Sequence, residues 1–160
     1  MLARVSDVQL PWRRHHHQSA LFTHNLLALV AGQKDDTSTA DTDLLHLKDG
    51  SFSSGPPVPT GLPHLDAGSV QLNNCLFICG GGSSLESLTE SVNNCNKLCM
   101  AANNTMLAWY PVAALNPARR RHAMALLDGY IYTVGGYDTE GSYMQMCSGT
   151  TTGSQGTLAI

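Results

Sequence analysis

The sequence is poor in charge, in aromatic side chains and in long apolar runs. Its 160 residues hold nine Lys and Arg and twelve Asp and Glu, for a net charge of −3. So few cations exclude an overall electrostatic grip on nucleic acid. The longest apolar run, Leu26 to Ala31, is six residues. A helix crossing a bilayer needs roughly 20, so no membrane span is expected. The first residues, "MLARVSDVQLPWRRHHH", lack the apolar core of a secretory leader. They point to a cytoplasmic protein, with secretion as the alternative. No nucleophile elbow, Walker loop or H-E-x-x-H occurs, and no GK[ST] follows Gly80-Gly81-Gly82. No enzyme chemistry and no cofactor are therefore expected. The one basic run, Arg119-Arg120-Arg121-His122, reads as a solvated loop rather than a patch for an acidic partner.

Cysteines number five: Cys75, Cys79, Cys95, Cys99 and Cys147. An odd count without a leader favours reduced thiols. Cys75 and Cys79 flank the strand-like "LFI". Four residues apart on one strand, they would lie about 13 Å from each other, too far to bond or to share one metal ion. They read as small buried hydrophobes, with no metal site. A cross-strand disulfide between the two pairs is the alternative in an oxidising compartment.

The chain repeats itself. Asp128-Gly129 sits between "AMALL" and "YIYTV", and Gly135-Gly136 follows. Asp-Gly between apolar runs is a strong hairpin signal, since both turn positions of a type I′ turn need positive φ. The same frame recurs 55 residues upstream, with Asn73-Asn74 before Gly80-Gly81, and 49 further, with His24-Asn25 before Ala31-Gly32. Each later half runs through a polar loop into a strand ending on one large aromatic, Phe52 or Trp109. Four short strands per unit of roughly 50 residues is a propeller-blade period.

On these residues the chain resembles the kelch repeat. Trp109, Arg119, His122, Gly129, Tyr132, Gly135, Gly136, Tyr137 and Asp138 match its pattern. In the middle unit Phe77, Gly80 and Gly81 match, Phe52 stands in for the tryptophan, and His64 holds the arginine position. The resemblance implies an all-β fold of about two and a half four-stranded antiparallel blades, an incomplete propeller. It places an approach segment at 1–14 and the repeat region at 15–146, in units of about 15–62, 63–117 and 118–146. A Ser/Thr/Gly-rich tail follows at 147–160 and reads as disordered. The implied function is protein–protein interaction, like the substrate-recruiting propeller of a cullin-type ubiquitin-ligase adaptor or an actin-binding kelch protein. No BTB or BACK region lies within the 160 residues. Self-association would complete the ring. The alternatives are a galactose-oxidase-like or sialic-acid-epimerase-like enzyme on the same scaffold, or a truncated fragment without function. For copper chemistry, no spacing recommends Tyr110, Tyr130, Tyr132, Tyr137 or Tyr143 as a ligand. The double glycines and Trp109 are expected to be structural, with Arg119 bridging groups between blades and no catalytic residue among them.

Three further clusters read as ordinary surface. His15-His16-His17 is a polar approach to the first strand rather than a metal site. Asn103-Asn104-Thr105 fits a turn better than a glycosylated sequon. Asp35-Asp36, Asp41 and Asp43 lack calcium-loop spacing and read as solvated loop charges.

Overall fold

The computed structural model describes residues 9–35, 37–59, 65–83, 90–102, 106–145, 147–151 and 157–159. Among them every regular element is a strand. Three four-stranded antiparallel sheets follow one another along the chain. The first joins β2 (Gln18–Thr23), β3 (Leu26–Val30), β6 (Thr42–His46) and β7 (Ser51–Ser54) in that order. The second joins β8 (Gly68–Leu72), β9 (Cys75–Cys79), β10 (Cys95–Met100) and β11 (Leu107–Val112). The third joins β12 (Ala123–Leu127), β13 (Tyr130–Val134), β14 (Cys147–Thr151) and β15 (Thr157–Ala159). A small sheet of β1 (Arg14–His15), β4 (Gln33–Lys34) and β5 (Thr37–Ser38) caps one end of the first.

Two elements differ from the sequence reading. The Ser/Thr/Gly-rich tail supplies β14 and β15, so the third unit has four strands rather than two. Its β-branched Thr150, Thr151 and Thr157 suit a strand, and β13 offers an edge to pair with. The first hairpin keeps its two-residue turn at His24-Asn25, with Thr23 opposite Leu26, but without positive φ there. In the third, Asp128 and Gly129 take φ of 50° and 78°, and in the second Asn73 takes 51°. The first instead carries a bulge between Leu21 and Thr23. That bulge absorbs one extra residue: His15 precedes Gly32 by 17 positions, whereas Leu65 precedes Gly81 and Arg120 precedes Gly136 by 16.

Strand alternation gives each sheet a front and a rear face. Ala20, Phe22, Ala28 and Val30 on the front of the first sheet pack against Leu76, Ile78 and Leu98 on the rear of the second. Burying each of these larger side chains contributes roughly 1.5–3 kcal/mol. On the front of the second sheet, Cys79 and Cys95 pack with Leu115, Val112 and Met124, the last from the rear of the third sheet. The first strands of the sheets, β2, β8 and β12, lie beside one another.

Cys75, Cys79, Cys95 and Cys99 are disulfide-bonded, not free. Register sets Cys75 opposite Cys99 and Cys79 opposite Cys95 across β9 and β10. Both pairs are bridged, each with its Cα atoms 4.1 Å apart. Cysteines four residues apart on one strand cannot meet, but the antiparallel partner brings the same spacing back in reverse. This is the cross-strand bridging that the sequence left as the alternative to buried free thiols.

Candidate interaction site

At one end of the three sheets the chain enters each first strand through an equivalent kink. His16, Asp66 and Arg121 take φ of 54°, 55° and 52°, the left-handed region that residues with a side chain rarely visit. The residue before each kink pairs with the residue after each glycine position. His15 pairs with Gln33, Leu65 with Gly82, and Arg120 with Tyr137. Each of these pairs again with the returning loop, at Ser38, Ser91 and Tyr143. The carbonyls of Gly32, Gly81 and Gly136 accept from the amides of Thr39, Val92 and Met144, all at 2.9 Å. The double-glycine motif thus fastens a three-stranded collar at the top of every sheet.

Inside these collars the three kinks converge on Asp66. Its Oδ2 accepts from Arg121 Nε at 2.8 Å and from Arg120 Nη2 at 3.2 Å, and its Oδ1 lies 2.7 Å from His16 Nδ1. The Asp66 carbonyl accepts from Arg121 N–H at 2.8 Å. Burial pushes the Asp66 pKa up, but the hydrogen bonds from Arg121, Arg120 and His16 outweigh it and leave the carboxyl below its ordinary value. The basic run is therefore no solvated loop. Arg119 and Arg120 are fully buried and His122 nearly so, while Arg121 alone is exposed. A loop with a buried carboxylate beside it can take its cations inward.

The other motif residues divide by role. Arg119 Nη1 donates to the Gly135 carbonyl within its own unit, at 3.3 Å. Arg14 does the same two units earlier, where Nη2 donates to the Ala31 carbonyl at 2.9 Å. The Arg119 backbone also crosses between sheets: its carbonyl accepts from Gly81 N–H at 2.9 Å. Arg14 also pairs with Asp43, which lies buried and within 3.4 Å of Lys34 Nζ. Asp43 is thus no solvated loop charge. Trp109 Nε1 donates to the Pro56 carbonyl at 2.9 Å, tying the second sheet to the first, and its ring packs on their shared core. Phe52 meets Trp12 edge-on at 5.6 Å, and Phe77 lies buried on β9. His122 is buried against Gly68, and neither ring nitrogen meets a hydrogen-bond partner among the described residues. Burial, and then the nearby Arg119 charge, lower its pKa to about 4.

Tyr132 sits on β13, its ring 6.5 Å from that of Tyr130. Tyr137 belongs to the collar and lies 4.8 Å from the exposed ring of Tyr143. Asp138 Oδ1 accepts from the Glu140 and Ser142 amides at 2.8 and 2.9 Å, which fixes that loop. A cleft of about 510 Å³ opens there, lined by Pro117, Asp138, Thr139, Glu140, Tyr143, Met144 and Gln145. Ser91 Oγ donates to the Asp138 carbonyl at 2.9 Å, which joins this loop to the second sheet's collar. His64, Asp36 and the Asn103-Asn104-Thr105 stretch read as a turn lie outside the described residues. Among the described residues no three His, Cys, Asp or Glu side chains gather as a metal would require.

Asp66 and its partners went unread in the sequence. Counting 15 positions back from Gly136 and Gly81, and 16 from Gly32, reaches Arg121, Asp66 and His16. The frame was present, but the three residue types share no chemistry that would mark them as equivalent. Compared with known proteins, the chain matches no protein-family model and none of the curated proteins.

Proposed function

We propose that the chain is a protein–protein interaction scaffold of kelch type, with its three sheets as blades of a β-propeller. The observation that carries this reading is the collar, repeated three times at one end of the sheets with different loop residues each time. Rigid sheets presenting variable loops side by side make a recognition surface. Front-to-rear stacking with first strands together supports the blade assignment. The partner is a protein bound through the loops, in the manner of a ubiquitin-ligase substrate or of actin. The two disulfides favour an oxidising compartment over the cytoplasm, and so weigh against the ligase version.

Affinity capture with matched variants tests this. A partner held through the collar is retained by the wild type and by Lys48→Ala, at the opposite end of the sheets. It is lost by the double variant Glu140→Ala/Tyr143→Ala. Identical capture by all three, with cosedimentation on actin filaments equally unaffected, would remove the loops from recognition.

A further inference from the structure

Each sheet is covered in front by the rear of the next, except the third. Its front face carries Ala123, Ala125, Leu127 on β12 and Tyr130, Tyr132, Val134 on β13, with no polar position among these six. Leu127 is 60% exposed, Val134 49% and Tyr130 37%. The corresponding front positions of the first two sheets are covered by their neighbours.

The backbone at this face is also prepared for a neighbour. In the junction between the second and third sheets, a Cβ on Gly80 would collide with the Arg119 carbonyl oxygen. At the equivalent Gly135 the nearest atom to such a Cβ is Met144 O, at 3.8 Å. Gly81 N–H donates across the junction to that Arg119 carbonyl at 2.9 Å, whereas Gly136 N–H finds no acceptor among the described residues. The third sheet thus has the donor and the clearance of a junction whose other half is missing.

We propose that the other half is the rear of the first sheet in a second copy of this chain, packed head to tail. Two copies then close a ring of six sheets through two identical junctions. This rests on the blade reading above, and six lies within the four to eight blades at which propellers close. The junctions within the chain are all front-to-rear, so continuing them needs a rear face, and the rear of the first sheet faces no other described sheet; Leu29, Asp43 and Leu45 on it are buried within the chain, and Leu21 is its exposed part. The required counterparts are there. Leu10 stands five positions before His15, as Leu115 stands five before Arg120. Leu115 is buried in the existing junction, while Leu10 is 37% exposed. The Arg14 carbonyl occupies the place of the Arg119 carbonyl. Leu21, 47% exposed, is the rear counterpart of Gln71, whose Nε2 reaches across the first junction to the Leu21 carbonyl at 2.8 Å.

Light scattering after size exclusion tests this at tens of micromolar chain. The wild type is expected at twice 17.1 kDa. Leu127→Lys on the front and Leu21→Glu on the rear are each expected to run as monomers. An equimolar mixture of the two returns to the dimer, because one junction joins unaltered faces and the other pairs opposite charges. Val134→Lys serves as a second front variant, and a cooperative thermal melt shows that each variant is folded. A monomeric wild type overturns the proposal. So does a dimer that survives Leu21→Glu, which would mean front-to-front packing, or an open series of larger assemblies. None of these outcomes touches the collar loops: loss of loop-dependent capture with the dimer intact strikes the proposed function alone.

Discussion

Gly81 and Gly129 both hold positive φ, 94° and 78°, but only one of them is crowded. A Cβ on Gly81 would lie 2.7 Å from the Leu65 carbonyl oxygen and 3.1 Å from Ala67 Cβ. At Gly129 nothing stands within 4 Å. Replacing either by alanine imposes the left-handed penalty, roughly 1–2 kcal/mol. Gly81→Ala must also push a hydrogen-bonded backbone away by about half an ångström, and such overpacking costs a further ~1–3 kcal/mol. Gly129→Ala is therefore expected to destabilise by about 1–2 kcal/mol and Gly81→Ala by about 2–5 kcal/mol. Urea unfolding at pH 7 followed by the fluorescence of Trp12 and Trp109 measures both, provided the slopes agree. Equal losses within about 0.5 kcal/mol would refute the claim that the collar is built on close backbone approach.

Three other outcomes follow from the same geometry. His122 has its pKa lowered from 6.5 to about 4, so the unfolded chain takes up a proton between those values that the native chain refuses. Stability is unaffected by this group above pH 6.5 and falls as pH drops toward 4, by roughly 3 kcal/mol in full. Denaturant midpoints across that range should fall less in His122→Gln, and parallel profiles would count against it. Asp66→Asn keeps the left-handed kink, which asparagine tolerates, but removes the charge facing Arg120 and Arg121. A loss on the order of 3 kcal/mol is expected in the same unfolding assay, and a loss under about 0.5 kcal/mol would show the cluster to be incidental. The Cys79–Cys95 disulfide spans 16 residues, so Cys79→Ser/Cys95→Ser is expected to lower stability by about 3 kcal/mol. An unchanged melting temperature under non-reducing conditions would count against a stabilising bridge.

The local devices were legible in the chain. Asp128-Gly129 between two apolar runs announces its hairpin, because few dipeptides accept two positive φ values in succession. The short apolar runs "AMALL" and "YIYTV" on either side of it announce two strands, and the repeat of the frame announces three similar units. The tail was misread because its serines, threonines and glycines carry little apolar signal, and pairing along β13 decides its conformation. The cysteines read first as free thiols, with the cross-strand bridge as the alternative, because spacing along one strand says nothing about the strand opposite. Arg120 and Asp43 were taken for surface charges because a charge looks solvated until its partner is known.

What the sequence determined by itself is thus whatever depends on a residue and its near neighbours: turns, strand period and unit length. Asp66 meeting His16 and Arg121 depends on three segments some 50 residues apart arriving at one point. The sign of the Asp66 shift, the burial of the arginines and the pairing of cysteines all follow from that arrival. So does the difference between Gly80 and Gly135, two glycines in the same motif. One is packed against a neighbouring backbone and the other stands open, because only one of them has a sheet in front of it.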